Sequence, residues 1–382
     1  MRPHIYLDYN ATQPVKPAVR EAMLDALEFP SNASSVHRLG QQARHAVERA
    51  RAEVAALIGA QTSEILFTSS ATEANATALN GIADRILLVS AIEHPSVLNA
   101  RAHRLIIPAG ENGVIDLGAL DRMLAALGEP ALVSVMLVNN ETGVIQPVAE
   151  AAAIAHRHGA LIHSDAAQAP GRIQVDVRAL DVDLLTLSAH KMGGPQGAGA
   201  LFIRDGLTLA PLLRGGGQER RRRAGTENVA AISGFGVAAW LVGEDPGLDD
   251  RLAALRDEME ARLLVIAPDL AIHGRDAPRV GNTSCFGAPG LLAETLLIAL
   301  DLAGIAVSSG AACSSGAVEP SPVLLAMGVP EAAAREAIRV SLGWETTRAD
   351  LDRLVETWAD VHRRTKSSMS SPKGLSQQEL SV

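Results

Sequence analysis

Asp183-Leu184-Leu185-Thr186-Leu187-Ser188-Ala189-His190-Lys191-Met192-Gly193-Gly194-Pro195 runs from apolar residues to a lysine, and from the lysine to two glycines and a proline. The spacing predicts a buried strand that delivers Lys191 into a glycine-rich turn. A lysine that forms a Schiff base needs such a place. Partial desolvation makes its neutral amine less costly than in water, and small neighbours leave room for a bulky cofactor. A lysine at a strand end can equally pair with a carboxylate. The stretch by itself leaves both readings open.

Outward from this strand, short apolar runs recur at Ile65-Thr68, Ile86-Ser90, Leu132-Asn139, Leu161-Ser164 and Ala200-Ile203. Helix-compatible segments lie between them. Gln41 to Ile58 carries Ala43, Ala46, Val47, Ala50, Val54 and Leu57 at helical spacing and stops at Gly59, and Val148 to His158 reads likewise. Near-continuous apolar strands alternating with helices predict a mostly parallel sheet covered on both faces. After about Trp240 the pattern changes to a long charged helix, Leu248 to Ile266, and then to short strands and helices as far as about Arg364, a smaller α+β unit. The polar stretch from Lys366 reads as a disordered tail.

The chain has 382 residues, which makes two domains the expectation. A net charge of −9 gives no electrostatic reason to bind nucleic acid or an anionic membrane. The run Glu219-Arg220-Arg221-Arg222-Arg223 reads as a solvated loop. No apolar stretch has the length of a membrane span, and the first residues lack a signal-peptide core, so a cytoplasmic location is expected. Two cysteines make a disulfide framework improbable. Cys285, in Asn282-Thr283-Ser284-Cys285-Phe286, reads as a packed strand residue. Cys313 lies among small residues, Ser308-Ser309-Gly310-Ala311-Ala312-Cys313-Ser314-Ser315-Gly316, where a thiol is open to reaction.

Ligands of doubly wound sheets bind beyond the carboxyl ends of the strands. After Thr68 comes Ser69-Ser70-Ala71-Thr72-Glu73, with the spacing of a capping box and the small residues of a phosphate-binding helix start. His94 follows another run, and Asn139-Asn140 a third. Asp165-Ala166-Ala167-Gln168 follows a fourth, and an aspartate there is desolvated unless something cationic pairs with it. Each signal has an ordinary structural reading. In one order on one sheet they fit pyridoxal phosphate: a helix start for the phosphate, Asp165 for a protonated pyridine nitrogen and Lys191 for the covalent link.

With these motifs the chain resembles the cysteine desulfurases of the NifS/IscS type, within the class V aminotransferase-like enzymes. The resemblance runs from Tyr6-Leu7-Asp8-Tyr9-Asn10-Ala11-Thr12 to about Trp344. It includes Thr68-Ser69-Ser70-Ala71-Thr72-Glu73, Glu93-His94, Val138-Asn139-Asn140-Glu141-Thr142-Gly143, Asp165-Ala166-Ala167-Gln168, Ser188-Ala189-His190-Lys191, Gly215-Gly216-Gly217-Gln218-Glu219-Arg220, Gly225-Thr226, the Cys313 loop and Arg339-Val340-Ser341-Leu342-Gly343. It implies an aspartate-aminotransferase-like α/β fold (fold type I of pyridoxal-phosphate enzymes). Residues 12–245 would form a large domain with a mostly parallel seven-stranded sheet. Residues 1–11 and 246–365 would form a small α+β domain, and 366–382 the tail.

The same resemblance implies the roles. Lys191 would hold the cofactor, Asp165 its pyridine nitrogen and Gln168 its ring oxygen, while His94 would stack on the ring. Asn140 would sit beside ring and substrate. Ala71, Thr72, Ser188 and His190, with Ala189 in the same turn, would form the phosphate site. Thr226 would reach the phosphate of the other subunit of a homodimer. Arg339 would take the substrate carboxylate as a fork. Cys313 would accept sulfur from L-cysteine as a persulfide, its thiolate favoured by cationic neighbours including His94, and pass it to an iron–sulfur scaffold or another acceptor protein. It could also touch a nascent iron–sulfur cluster in passing. Ala189, Ala167 and Gly193 replace residues common in the family with small ones. A selenocysteine lyase, an aminotransferase and a non-catalytic relative are the rival readings. An aminotransferase has no use for Cys313, and a non-catalytic relative none for Lys191.

Overall fold

The computed structural model describes residues 4–30, 32–309 and 319–370, the side chains of the last three excepted. Cys313 lies outside the described residues. Strand β1 (Ile5–Tyr6) precedes β2 (Ile65–Thr68), β3 (Ile86–Ser90), β4 (Leu105–Ile107), β5 (Ala131–Ser134), β6 (Leu161–Asp165), β7 (Leu184–Ser188) and β8 (Gly199–Ile203). Strands β9 (Ala271–Ile272), β10 (Thr283–Gly287), β11 (Ile305–Ala306) and β12 (Ala337–Ser341) complete the set among the described residues. The helices are α1 (Pro17–Leu27), α2 (Arg38–Leu57), α3 (Ala71–Gly81), α4 (Pro95–Leu98), α5 (Leu117–Leu127), α6 (Val148–Arg157), α7 (Val229–Gly243) and α8 (Leu248–Ile266). They continue with α9 (Ala293–Leu302), α10 (Pro322–Ala326), α11 (Glu331–Ala334) and α12 (Arg348–Ser370).

Seven strands form one sheet in the order β2-β8-β7-β6-β5-β3-β4. Neighbours from β4 to β7 pair parallel, and β8 runs antiparallel to both β7 and β2. The expected mostly parallel seven-stranded sheet is therefore present. Alternation along the strands divides the core. Phe67, Leu88, Val133, Ile162, Leu185 and Phe202 join the cluster that takes in α2, α6 and α7. Leu66, Leu87, Leu132, Leu184 and Leu201 join the one that takes in α3. A third cluster gathers Leu7 with residues between 252 and 358, around β10, β12, α8, α9 and α12. Strand β1 pairs with β11, and Asp8 bridges to Ser341, so the N-terminal segment belongs to this smaller core.

Three expectations are corrected. The run Leu132-Asn139 yields a strand only to Ser134; residues 135–139 are buried but leave the ladder. Lys366 is not irregular but helical, because α12 continues to Ser370, and adding residues to a helix already docked on a core costs little. The capping box of α3 is half made: Ser70 Oγ accepts the Glu73 N–H at 3.2 Å. The Glu73 carboxylate instead accepts the Ser69 N–H at 2.8 Å and takes Arg223 Nε at 2.8 Å.

The arginine run is more than a solvated loop. Glu219, Arg220 and Arg221 have φ of 44°, 56° and 66°, a left-handed run that non-glycine residues rarely adopt. Buried contacts hold it. Arg51 pairs with Glu219 at 2.7 and 2.9 Å, their side chains 5% and 4% exposed. Glu219 also accepts the Phe67 N–H at 2.9 Å. Glu219→Ala strands the buried guanidinium of Arg51 and frees a strained turn. Urea unfolding of the cofactor-free protein should show a loss of about 3–5 kcal/mol; a loss below about 1 kcal/mol would mean the pair is expendable.

Candidate active site

The carboxyl ends of β2, β3, β5, β6 and β7 face one cavity of about 390 Å³, within the usual range for small-molecule sites. Asn10, Ala71, Thr72, His94, Asn140, Asp165, Gln168, Ser188, His190, Lys191 and Arg339 all line it. Ser308 and Ser309, the last described residues before the Cys313 segment, line it too.

Lys191 ends a 3-10 turn, Ala189–Lys191, that follows β7 directly. Gly193, at φ 79°, turns the chain away at a conformation suited to glycine. A side chain on Gly194 would meet the Ala189 carbonyl at 2.7 Å. Lys191 Nζ donates to the carbonyls of Asn10 and, at 2.8 Å, Ala11. Burial pushes its pKa down to about 7, and the guanidinium groups of Arg339 and Arg172 push the same way. The amine is thus a ready nucleophile near neutral pH.

Asp165 ends β6. Its Oδ2 accepts from Asn75 Nδ2 at 2.7 Å and its Oδ1 from the Ala167 N–H at 2.9 Å. Gln168 donates Nε2 to the Asn10 carbonyl at 2.9 Å, while its Oε1 accepts from buried Arg172. His94 caps α4, its Nδ1 accepting the Ser96 N–H at 3.1 Å. Burial lowers the His94 pKa, with Lys191 adding to the effect against Asp165. Both burial and Lys191 thus favour the neutral ring. Arg339, on β12, donates to Asp8 at 2.7 Å and to the Asn140 carbonyl at 3.0 Å. Each terminal nitrogen keeps a second hydrogen, enough for a carboxylate fork.

The phosphate site fits its residues. Ala71 and Thr72 open α3, where first-turn N–H groups have no intrahelical acceptor. Ser188 Oγ is buried without a hydrogen-bond partner among the described residues, as a hydroxyl awaiting a ligand would be. His190 holds Thr12 Oγ1 at 3.1 Å through Nδ1, and burial next to Lys191 brings its pKa down to about 4, so the ring is a neutral one, suited to donate to a phosphate. Two assigned residues lie elsewhere. Ala189 is fully buried in the apolar core and gives the turn its packing. Thr226 is exposed and does not line the cavity of its own chain.

Asn10, Asn75 and Arg172 had no assigned role. Asn10 offers its carbonyl to Lys191 and Gln168, and its amide donates to the Asn140 carbonyl at 3.1 Å and Thr283 Oγ1 at 2.9 Å. It lies inside the motif Tyr9-Asn10-Ala11-Thr12, the signal that could have found it. No group of three or more His, Cys, Asp or Glu among the described residues could hold a metal ion.

The Aminotransferase class-V family pattern matches residues 5–354. Among curated relatives, a cysteine desulfurase of Enterobacter agglomerans is 43% identical over 376 residues, covering 95% of this chain and 94% of that one. One of Cereibacter sphaeroides is 45% identical over 371 residues, covering 92% and 94%. Among solved structures, a NifS-like protein from Rickettsia africae superposes with a TM-score of 0.89 at 36% identity, covering 94% of this chain and 99% of that one. SspA in complex with cysteine gives 0.78 at 31% identity, with 88% and 98% covered.

Lys191 should label as its environment dictates. Below about pH 7 its amine is protonated and inert; above, it is neutral and nucleophilic. Acetic anhydride labelling of the cofactor-free protein, read by peptide mapping, should reach half-maximum at Lys191 near pH 7. A freely solvated lysine side chain should do so near the ordinary value of about 10.4. A midpoint near that ordinary value at Lys191 would contradict the desolvated site.

Proposed function

We propose that this chain, which belongs to the class-V aminotransferase family and is a pyridoxal-phosphate-dependent cysteine desulfurase, divides the removal of sulfur from L-cysteine among Lys191, Asp165, Arg339 and Cys313. The observation that carries the division is the single cavity in which a lowered-pKa lysine, a buried aspartate and a forked arginine meet, with Ser308 and Ser309 at its wall.

When bound, pyridoxal phosphate supplies an electron sink conjugated to the substrate Cα. Lys191 holds the cofactor at rest and, once displaced, moves a proton at Cα. Asp165, fixed by two donors, would keep the pyridine nitrogen protonated. Gln168 would meet the ring oxygen, His94 would cover the ring, and Asn140 would lie beside ring and substrate. Ala71, Thr72, Ser188 and His190 hold the phosphate. Arg339 binds the substrate carboxylate. The Cys313 thiolate then attacks the substrate sulfur. An S–S bond forms as the Cβ–S bond breaks, and the carbon fragment is protonated and leaves as L-alanine.

The finer assignments rest on the motifs. Residues 12–245 form the cofactor domain, and 1–11 with 246–365 the smaller one. Exposed Thr226, outside its own cavity, favours a homodimer in which it reaches the other subunit's phosphate. The persulfide passes to an acceptor protein for iron–sulfur assembly or other sulfur transfer in the cytoplasm, and a nascent cluster can meet Cys313 as cargo. Among the described residues no helix is long and apolar enough to cross a membrane.

Lys191→Ala should abolish alanine production. Cys313→Ala should keep the visible band of the loaded enzyme yet form no protein persulfide, read by mass spectrometry. Normal sulfur release by Cys313→Ala would remove that residue from the reaction. Arg339→Lys loses the fork and should raise KM for L-cysteine by about tenfold to a hundredfold, measured by initial rates; an unchanged KM would assign the carboxylate elsewhere.

A further inference from the structure

Asn75 lies on α3 and is fully buried, behind the cavity wall rather than on it. One hydrogen of its Nδ2 goes to Asp165 Oδ2 at 2.7 Å, and the other to Ser96 Oγ at 2.9 Å. Ser96 Oγ in turn lies 2.8 Å from His94 Nδ1. That nitrogen also accepts the Ser96 backbone N–H at 3.1 Å, so in the neutral ring it carries no hydrogen. The direction of each bond follows. Asn75 donates to Asp165 and to Ser96, the Ser96 hydroxyl donates to His94 Nδ1, and His94 carries its hydrogen on Nε2.

The amide oxygen of Asn75 has the opposite fate. Oδ1 is buried with no partner among the described residues. A buried acceptor without a donor is costly. Turning the amide over would set that oxygen against the Asp165 carboxylate. An asparagine kept only for packing has no reason to leave its acceptor stranded. Here the fold gives up the acceptor and keeps two donors.

We propose that Asn75 is a positioning residue, which holds the Asp165 carboxylate in place for the cofactor's pyridine nitrogen and joins it through Ser96 to His94. This rests on the roles given above to Asp165 and His94. The other groups facing Asp165 serve it less directly. Glu93, in the turn before α4, is buried and spends Oε1 on the Met136 N–H and the Ser90 hydroxyl. His163, on the same strand, is taken by Ser134 and Thr186. Lys191 bonds to the carbonyls of Asn10 and Ala11. Asn75 is the side chain that reaches the Asp165 carboxylate itself.

The test uses Asn75→Leu, which approximates the shape and removes both donors, and Asn75→Ala should the larger side chain fail to fold. Equilibrium dialysis of pyridoxal phosphate into the cofactor-free protein should show affinity about tenfold weaker or more. In the loaded enzyme, the pH midpoint of the visible-band transition should move up by about one unit, since a ring that loses its proton no longer lowers the basicity of the Lys191 nitrogen. The rate constant kcat should fall with little change in KM for L-cysteine, because Arg339 is untouched. Ser96→Ala removes a donor to His94 Nδ1. By histidine NMR of the cofactor-free protein it should raise the His94 titration midpoint, while dialysis affinity stays within about threefold of wild type.

Asp165→Asn is the control. Asn75 variants that match wild type in dialysis and in absorbance midpoint, beside an impaired Asp165→Asn, would overturn the role of Asn75 alone. An Asp165→Asn protein with wild-type affinity and midpoint would overturn the reading of Asp165, and the inference with it.

Discussion

A lysine amine buried between two guanidinium groups is unstable as an ammonium, and the site is arranged around that instability. Burial lowers the pKa of Lys191 most, and Arg339 and Arg172 lower it further against Asp8 and Asp165. Among the described residues no carboxylate pairs with the amine. The carbonyls of Asn10 and Ala11 take its hydrogens instead, and these acceptors serve the neutral form as well as the charged one. A salt bridge at this point would have stabilised the ammonium and raised the pKa. Asp165 is engaged instead by Asn75 and the Ala167 N–H. The same arrangement that keeps Lys191 reactive thus leaves Asp165 for a different cation.

Asn10 couples this chemistry to the fold. Its carbonyl meets Lys191 and Gln168, its N–H donates to Ser341 Oγ at 2.9 Å, and its side chain donates to Thr283 and accepts from Asn282. Ser341 and Thr283 lie on β12 and β10, in the smaller core, whereas Lys191 and Gln168 follow strands of the large sheet. The N-terminal segment therefore fixes the height of the small sheet over the cavity. Arg339 inherits that height, since it projects from β12 between Asp8 and Asn140. The distance between the amine and the carboxylate-binding fork is set by backbone geometry rather than by a mobile side chain, which is the condition for orienting a small amino acid.

The residues at strand ends were legible because strand ends announce themselves. An apolar run followed by Asp165, or by Ser188 to Lys191 and a glycine, states both the element and the exit. Other features left no local signal. Strand β4 is an edge strand whose apolar run, Leu105-Ile106-Ile107, is only three residues long, too short to stand out as a strand. Helix α7 is apolar nearly all round, because it is buried among α1 and α2 and the cluster beneath them, and so it lacks the period by which a helix is found. Asn75, Arg172 and Glu219 act across 90, 4 and 168 residues. Asn75 reads as one more polar residue on a capped helix, and its partner is visible only once α3 lies against β6. Glu219 looked solvated because its neighbours are arginines, and is buried because Arg51 waits under β2.

The titratable side chains of the cofactor-free site share a further property: most are neutral. His94 and His190 are lowered below the ordinary histidine range, and Glu93 is pushed up to about 8 by burial and by Asp165. His163, beneath Asp165, is lowered to about 4. A phosphate entering at α3 then meets N–H dipoles, a hydroxyl and a neutral imidazole rather than a cluster of ammonium groups. That choice has a consequence for Lys191. Cations gathered around the phosphate would add to the repulsion from Arg339 and Arg172 and draw the phosphate's charge away from the ring. Neutral donors hold the phosphate without altering the balance that sets the lysine, so the anchoring end of the cofactor and its reacting end can be tuned separately.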